Sequence, residues 1–102
     1  MNAMSDLARL QGSAAEAAEM LRLLANENRL LILCHLAMEK EMAVGAIAEA
    51  VELSQSALSQ HLAKLRADRL VATRREGTTV FYRIADAKIR RILTLLKNLY
   101  CP

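Results

Sequence analysis

Two cysteines are the side chains of this sequence best suited to redox chemistry. Cys34 follows the apolar run 30–33, and Cys101 is the penultimate residue. A buried cysteine often acts as a small hydrophobic residue, so Cys34 alone is also consistent with simple packing. A thiol at a chain end contributes little packing, and an accessible thiol is open to oxidation. Because a disulfide needs Cα atoms within about 7 Å, the two form a redox pair only if the fold brings them together.

A second set of residues has the chemistry needed to bind DNA. Between Ser54 and Arg66, leucines recur at a spacing that predicts a helix with one apolar face, and they are Leu58, Leu62 and Leu65. The other face carries amide and hydroxyl groups, which read base edges, and cationic groups, which contact phosphate. The predicted base-reading residues are Gln55, Ser56, Ser59 and Gln60, with His61 and Lys64 as contacts to the DNA backbone. For this segment alone, a solvated polar face is the alternative.

The charge distribution favours a polyanionic partner. Residues 1–53 contain four Lys and Arg against eight Asp and Glu, a balance of −4, whereas residues 54–102 contain ten against three, a balance of +7. The cations are spread over several elements rather than along one amphipathic helix, which favours duplex nucleic acid over a membrane surface. With no Trp, one Phe and two Tyr, stacking on single-stranded bases is a poor fit.

The sequence contains no signal for a membrane or a secretory pathway. No apolar run approaches the roughly 18 residues of a membrane span. The first residues lack a basic segment followed by an apolar core. We therefore expect a cytoplasmic protein without a membrane partner.

The order of predicted elements is typical of a winged helix-turn-helix, which is mainly α-helical with a small β-hairpin. We expect residues 1–12 to be a weakly ordered segment and residues 13–102 to form a single DNA-binding and dimerisation domain of five helices plus a wing. The first helix is predicted to begin at the capping-box spacing of Ser13 and Glu16. The remaining predicted elements are helices at about 27–38, 44–51 and 55–67, strands at 70–75 and 79–84, and a last helix capped by Asp86.

The hairpin and the last helix supply further candidate contacts. An arginine at a wing can enter the minor groove or bind phosphate, and the candidates around the turn are Arg74, Arg75, Thr78 and Thr79. The last helix carries a long apolar stripe of Ile89, Ile92, Leu93, Leu96 and Leu99. Because a large apolar patch usually marks an interface, this stripe predicts a homodimer, which would also place two recognition helices one DNA turn apart.

With these elements in place, the chain resembles the ArsR/SmtB family of winged-helix repressors. The residues that carry the resemblance are those at 28–33, 53–56, 59–62 and 64–66, together with Gly77, Phe81 and Tyr82 of the wing. The resemblance implies a homodimer that binds double-stranded operator DNA and blocks transcription until an inducer weakens that binding.

Both metal sites usual in this family are missing from the sequence. Where the arsenic, cadmium and lead sensors carry a Cys-x-Cys pair, this chain has Ala43 and Gly45. The zinc and nickel sensors carry Asp and His ligands along the last helix. Asp86 stands at a suitable first position, but no His or Glu follows it, and zinc needs about four ligands. We therefore expect neither a metal nor another cofactor.

The positions of Cys34 and Cys101 are similar to those in one subgroup of the family, the BigR/SqrR/YgaV type. That subgroup has one cysteine in the second helix and one near the end of the last helix. The resemblance implies that the pair senses reactive sulfur species, and that a disulfide or polysulfide crosslink between the two cysteines lowers operator affinity. The inducer, the residues that hold it and the repressor role all follow here from resemblance.

Three alternatives remain open at this point. The same repressor could respond to a metalloid or to a general oxidant. A small thiol enzyme or persulfide carrier is disfavoured, because the chain has no Cys-x-x-Cys motif and no phosphate-binding glycine loop. A partner-binding module without DNA affinity is opposed by the polar face at 55–64. We therefore expect a DNA-binding protein that is not an enzyme.

Overall fold

The computed structural model describes residues 3–101, so Met1, Asn2 and Pro102, which belong to the predicted terminal segment and domain, lie outside the described residues. Within that range the chain folds into five helices and three short strands, which confirms the predicted mainly helical winged helix-turn-helix. In order, the elements are α1 (Ala3–Leu24), α2 (Glu27–Glu39), β1 (Met42–Ala43), α3 (Val44–Val51), α4 (Gln55–Ala67), β2 (Val71–Glu76), β3 (Thr79–Ile84) and α5 (Ala87–Tyr100).

Side-chain caps fix the starts of three helices. The sequence predicts Ser54 and Asp86 as caps, and for α2 it offers either Asn26 or Asn28. The Asn26 side chain accepts a hydrogen bond from the Arg29 N–H at 3.1 Å and begins α2. Ser54 accepts from the Ala57 N–H at 3.2 Å and begins α4. Asp86 caps α5 by accepting from two backbone N–H groups, at 2.7 and 3.2 Å. Each cap satisfies donors that have no partner within the helix.

The first helix begins ten residues earlier than predicted. It starts at Ala3 and runs through Gly12, so the expectation of a weakly ordered segment before a helix start at Ser13 is wrong for the residues described. A glycine inside a helix costs only about 1 kcal/mol relative to alanine. The Ala-, Leu- and Arg-containing sequence around it favours helix, and the capping-box residues therefore lie inside the helix instead of starting it.

The wing is a three-stranded antiparallel sheet in the order β1-β3-β2. The predicted hairpin of β2 and β3 is present, closed by a two-residue turn in which Gly77 has a positive φ of 62°. Positive φ at a hairpin turn favours glycine. The two-residue strand β1, which was not predicted, pairs Met42 with Tyr82 and Ala43 with Phe81.

An aliphatic core lies between the helices and the inner face of the sheet. Among the described residues, no polar or charged side chain is buried. Helix α2 supplies three side chains with no exposed area, Ile32, Leu33 and Leu36, and it packs against α1, α3, α5 and β3. No helix in the described part of the chain is long and apolar enough to cross a membrane.

The apolar stripe of α5 divides between this core and the surface. Ile89 and Leu93 are 0% and 2% exposed within the single chain, so their assignment to a dimer interface is wrong. Helix α5 packs against α2 and β3, and Ile89 and Leu93 belong to the core that these elements share. Ile92 and Leu96 are half-buried, and Leu99 is 63% exposed. Only the outer part of the stripe remains available to a second chain.

The burial of Leu93 leads to a stability prediction. Leu93→Ala should lower the free energy of unfolding by about 2–5 kcal/mol, because it removes apolar contacts and leaves a cavity. The neighbouring Thr94→Ala is the control: this side chain is exposed and its hydroxyl donates only to the Arg90 carbonyl, so the change should stay within about 1 kcal/mol. Urea unfolding followed by circular dichroism measures both. Equal losses for the two variants would contradict the placement of Leu93 in the core.

Candidate DNA interface and thiol site

Helix α4 separates its apolar and polar residues as the sequence predicts. Leu58, Leu62 and Leu65 are buried in the core. The four predicted base-reading residues are all exposed, and they lie together on the solvent side of the helix: Gln55, Ser56, Ser59 and Gln60. His61 is half-buried at the edge of this surface. The arrangement exposes amide and hydroxyl groups that can meet base edges in a major groove, and the Ser56 hydroxyl also lies 3.3 Å from the Ser54 hydroxyl.

The turn that joins α3 to α4 holds the polar helix in place. Glu52 adopts the left-handed conformation, with φ 56° and ψ 41°, and its N–H donates to the Ala48 carbonyl. The Leu53 N–H donates to the same carbonyl at 3.2 Å. Ser54 then caps α4 directly. This tight connection fixes the angle between the two helices of the helix-turn-helix.

The cations near α4 and the wing differ in how far they are neutralised. Lys64 is exposed and forms an ion pair with Asp68 at 3.1 Å, within one turn of the same helix. The Lys64 side chain is 53% exposed, so its ammonium can still be drawn to a phosphate. Arg75, at the outer end of β2, is exposed and forms no ion pair within residues 3–101. Thr78 and Thr79 are exposed beside it at the tip of the hairpin.

Arg74, by contrast, is surrounded by carboxylates. Its Nε donates to Glu41 Oε2 at 3.1 Å and its Nη2 to Glu41 Oε1 at 2.6 Å. Its Nη1 donates to Glu76 Oε2 at 2.8 Å, and the guanidinium lies 4.6 Å from the centre of the Phe81 ring. The hydrogen bonds and charge of Arg74 lower the pKa of the Glu41 carboxyl. The guanidinium is thus committed to protein groups on three sides.

The two cysteines line one cavity between α2 and α5. Its volume is about 770 Å³, and both thiols are free. Cys34 is half-buried in α2, and Cys101 is exposed where α5 ends. The walls are mostly apolar, with one cation, and the other lining residues are Leu30, Leu31, Ala37, Met38, Leu93, Thr94, Leu96, Lys97, Asn98 and Tyr100. The fold therefore brings together two thiols that are 67 positions apart in the sequence.

The surroundings of Cys34 disfavour ionisation of its thiol. Burial raises the pKa of the Cys34 thiol, and the negative charge of a Cys101 thiolate raises it further. Desolvation disfavours a thiolate because the charge loses its contact with water, and a like charge nearby adds repulsion. Both thiols line the same cavity between α2 and α5. Cys101 is the more accessible nucleophile of the two.

Two features of the structure were not predicted from the sequence. Glu41 belongs to the charged segment 39–41, which the sequence marks only as a break between helices, and its bond to Arg74 has no local signal. Leu7 and Leu10 of α1 are large apolar residues with exposed side chains. Among the residues described, no three His, Cys, Asp or Glu side chains are grouped as a metal site would require.

Comparison with known proteins agrees with this geometry. The family described as bacterial regulatory protein, arsR family, matches residues 26–73. The transcriptional activator HlyU of Vibrio cholerae is 47% identical over 96 residues, covering 94% of this chain and 88% of that protein. The regulator YgaV of Escherichia coli is 39% identical over 99 residues, and the match covers 97% of this chain and 100% of that protein.

Solved structures match over the same range. The structure of reduced HlyU from Vibrio cholerae superimposes with a TM-score of 0.86, covering 92% of this chain and 98% of that one. The transcriptional repressor BigR of Xylella fastidiosa, at 33% identity, gives a TM-score of 0.85 and covers 92% and 95%. These relatives are transcriptional regulators and not enzymes. The chain therefore belongs to the ArsR family of bacterial regulatory proteins and is a DNA-binding transcriptional regulator.

Proposed function

We propose that this protein is a homodimeric repressor whose affinity for operator DNA falls when reactive sulfur species crosslink Cys34 to Cys101. The observation that carries the proposal is the cavity between α2 and α5, which both thiols line. Two free thiols that line one cavity suit a redox sensor, since intracellular disulfides are usually transient and catalytic or redox-sensing. The resemblance in cysteine positions to BigR and YgaV supports the same chemistry.

The DNA-binding part of the proposal rests on α4 and on charge. The exposed amide and hydroxyl groups of α4 match the donors and acceptors of base edges. Residues 54–102, which include α4, the hairpin and α5, carry the balance of +7. A surface with this charge attracts duplex DNA through its phosphates, and the polar face then selects the sequence.

The proposed switch uses a hydropersulfide, RSSH, as the source of both sulfur and oxidising equivalents. The accessible Cys101 thiolate attacks the outer sulfur of RSSH, forms a persulfide on Cys101 and releases RSH. The Cys34 thiolate then attacks Cys101 Sγ, closes a disulfide and expels the outer sulfur as H₂S. Overall, two thiols and RSSH give one disulfide, RSH and H₂S. A second equivalent of RSSH lengthens the bridge to a trisulfide and releases a second RSH.

Helix α2 provides a physical route from this crosslink to the DNA. It carries Cys34 and packs against α3, β3 and α5. A covalent tie between α2 and the end of α5 therefore acts on α3, which packs against α4, and on β3, which is the central strand of the wing. Two half-sites must be bound together, so a small change in the spacing of the recognition helices weakens binding.

Base recognition by α4 is tested with two variants. Gln60→Ala should cost about 1–3 kcal/mol on the preferred operator and relax base choice at one position. Arg75→Ala should weaken binding to all sequences. It should also reduce the slope of log affinity against log salt concentration by about one per protomer. Gln11→Ala, at an exposed position of α1, is the control. Selection from random duplexes followed by titration at several salt concentrations measures all three. Wild-type binding by both variants would refute the assignment.

The thiol switch is tested with serine variants. Treatment of the reduced wild-type protein with a hydropersulfide donor should lower operator affinity by roughly 5–150-fold, the usual range for coupling between two sites. Cys34→Ser and Cys101→Ser should bind the operator like the reduced wild type and ignore the donor. Arsenite and hydrogen peroxide are run in parallel to test the metalloid and general-oxidant alternatives. A folded Cys101→Ser variant that still releases DNA on treatment would show that the pair is not the sensor.

The homodimer is tested at the exposed apolar residues of α1 and α5. Leu10 and Leu99 are 57% and 63% exposed in the single chain, so their replacement does not disturb the core. Leu10→Glu and Leu99→Glu should each shift the protein toward monomer, because an interface would bury the new charge without a partner. Gln11→Glu adds the same charge one position from Leu10 and should leave the dimer intact. Sedimentation velocity reports the result, and a wild-type monomer at micromolar concentration would refute the proposal.

A further inference from the structure

We propose that Arg74 is a positioning residue for the wing: through its bond to Glu41, it holds the wing against the end of α2. Arg74 makes no contact with DNA phosphate. The inference rests on the proposed DNA-binding role and deepens it, since it separates the arginine that orients the hairpin from the one that contacts the backbone. It also changes the role that the sequence gives to Arg74, which was predicted there as a DNA contact.

The contact between Arg74 and Glu41 joins parts of the chain that are 33 positions apart. Glu41 receives two hydrogen bonds from the guanidinium, at 3.1 and 2.6 Å. A two-point contact of this kind fixes both distance and orientation, because the guanidinium and the carboxylate are planar. Each side chain is less than half exposed, at 45% for Arg74 and 30% for Glu41. The pair is therefore well suited to hold one element at a set angle to another.

The strand register shows what this contact spans. Arg74 of β2 pairs with Phe81 of the central strand β3, and Phe81 pairs on its other side with Ala43 of β1. Glu41 immediately precedes β1. The Arg74 side chain thus crosses above β3, with its guanidinium 4.6 Å from the Phe81 ring centre, to reach the far edge of the sheet. One side chain ties the outer strand of the hairpin to the strand that follows α2.

The backbone before Glu41 adopts an uncommon conformation. Lys40 has φ 67° and ψ −47°, and the Glu41 N–H donates to the Glu39 carbonyl at 2.7 Å. These values describe a γ-turn with positive φ, which is rare and strained for a residue other than glycine. The turn ends α2 and directs Glu41 toward the sheet. Strain of this kind persists where the surrounding contacts hold it, and the bond to Arg74 is such a contact.

The charges around Arg74 argue against a contact with phosphate. Its guanidinium lies between the carboxylates of Glu41 and Glu76, so the three groups together carry a net negative charge. A phosphate approaching Arg74 would be repelled by both acids. Alternation along β2 puts Arg75 on the opposite face of the strand, and within the described residues Arg75 has no ion pair. Arg75 is the wing cation that is available to the backbone of DNA.

The inference is tested with a pair of substitutions that leaves the net charge unchanged. The double variant Glu41→Gln/Arg74→Gln removes the ion pair, and Glu16→Gln/Lys88→Gln removes another exposed pair, which joins α1 to α5 at 3.7 Å, as a matched control. The reduced proteins are titrated with operator and with unrelated duplex DNA at several salt concentrations. Hydrogen exchange of the β2 and β3 amides checks that the hairpin is still formed.

We expect the Glu41/Arg74 double variant to lose operator affinity by roughly fivefold or more, the lower end of coupling between sites. Its affinity for unrelated DNA and the salt dependence of its binding should match those of the wild type. The control variant should match the wild type in operator affinity, in affinity for unrelated DNA and in salt dependence. A salt dependence reduced by about one per protomer would mean that Arg74 contacts phosphate, and unchanged operator affinity would mean that the pair does not position the wing. Either result overturns the inference. Absence of operator binding by the wild type would instead refute the proposed function on which it rests.

Discussion

The complete burial of one face of α2 is the constraint on which the other features of this structure depend. Ile32, Leu33 and Leu36 have no exposed area, and their helix packs against four other elements. Because a close-packed interior transmits displacement instead of absorbing it, α2 cannot move without moving its neighbours. The same helix carries Cys34 on its half-buried side and ends at the γ-turn that presents Glu41. The thiol site and the wing are thus both attached to α2.

Much of this arrangement follows from local sequence. The caps Ser54 and Asp86, the leucine spacing of α4 and the glycine turn of the hairpin are short-range signals, and each predicted its element. For α2 the sequence offered Asn26 or Asn28 as the cap, and the structure has Asn26. The polar face of α4 could be predicted for the same reason, since helical periodicity decides which residues share a face. The separation of a basic second half from an acidic first half also needed only the sequence.

The features that sequence could not supply depend on contacts between distant residues. Strand β1 has two residues and exists because β3 pairs with it, so no local pattern marks it. Periodicity identified the apolar stripe of α5, but it could not decide that Ile89 and Leu93 face the core of the same chain while Leu99 does not. The bond between Glu41 and Arg74 likewise requires the fold to close first. The start of α1 was predicted wrongly because the capping pattern at Ser13 lies in the interior of a longer helix that begins at Ala3.

The proposed switch requires the two thiols of one chain to close a crosslink across the cavity between α2 and α5. Peptide mapping of a hydropersulfide-treated dimer, assembled from isotopically labelled and unlabelled protomers, shows whether they do. The linked peptides should contain Cys34 and Cys101 carrying the same label, and their yield should rise in parallel with loss of operator binding. Linked peptides of mixed label, or full loss of binding without any linked peptide, would contradict it.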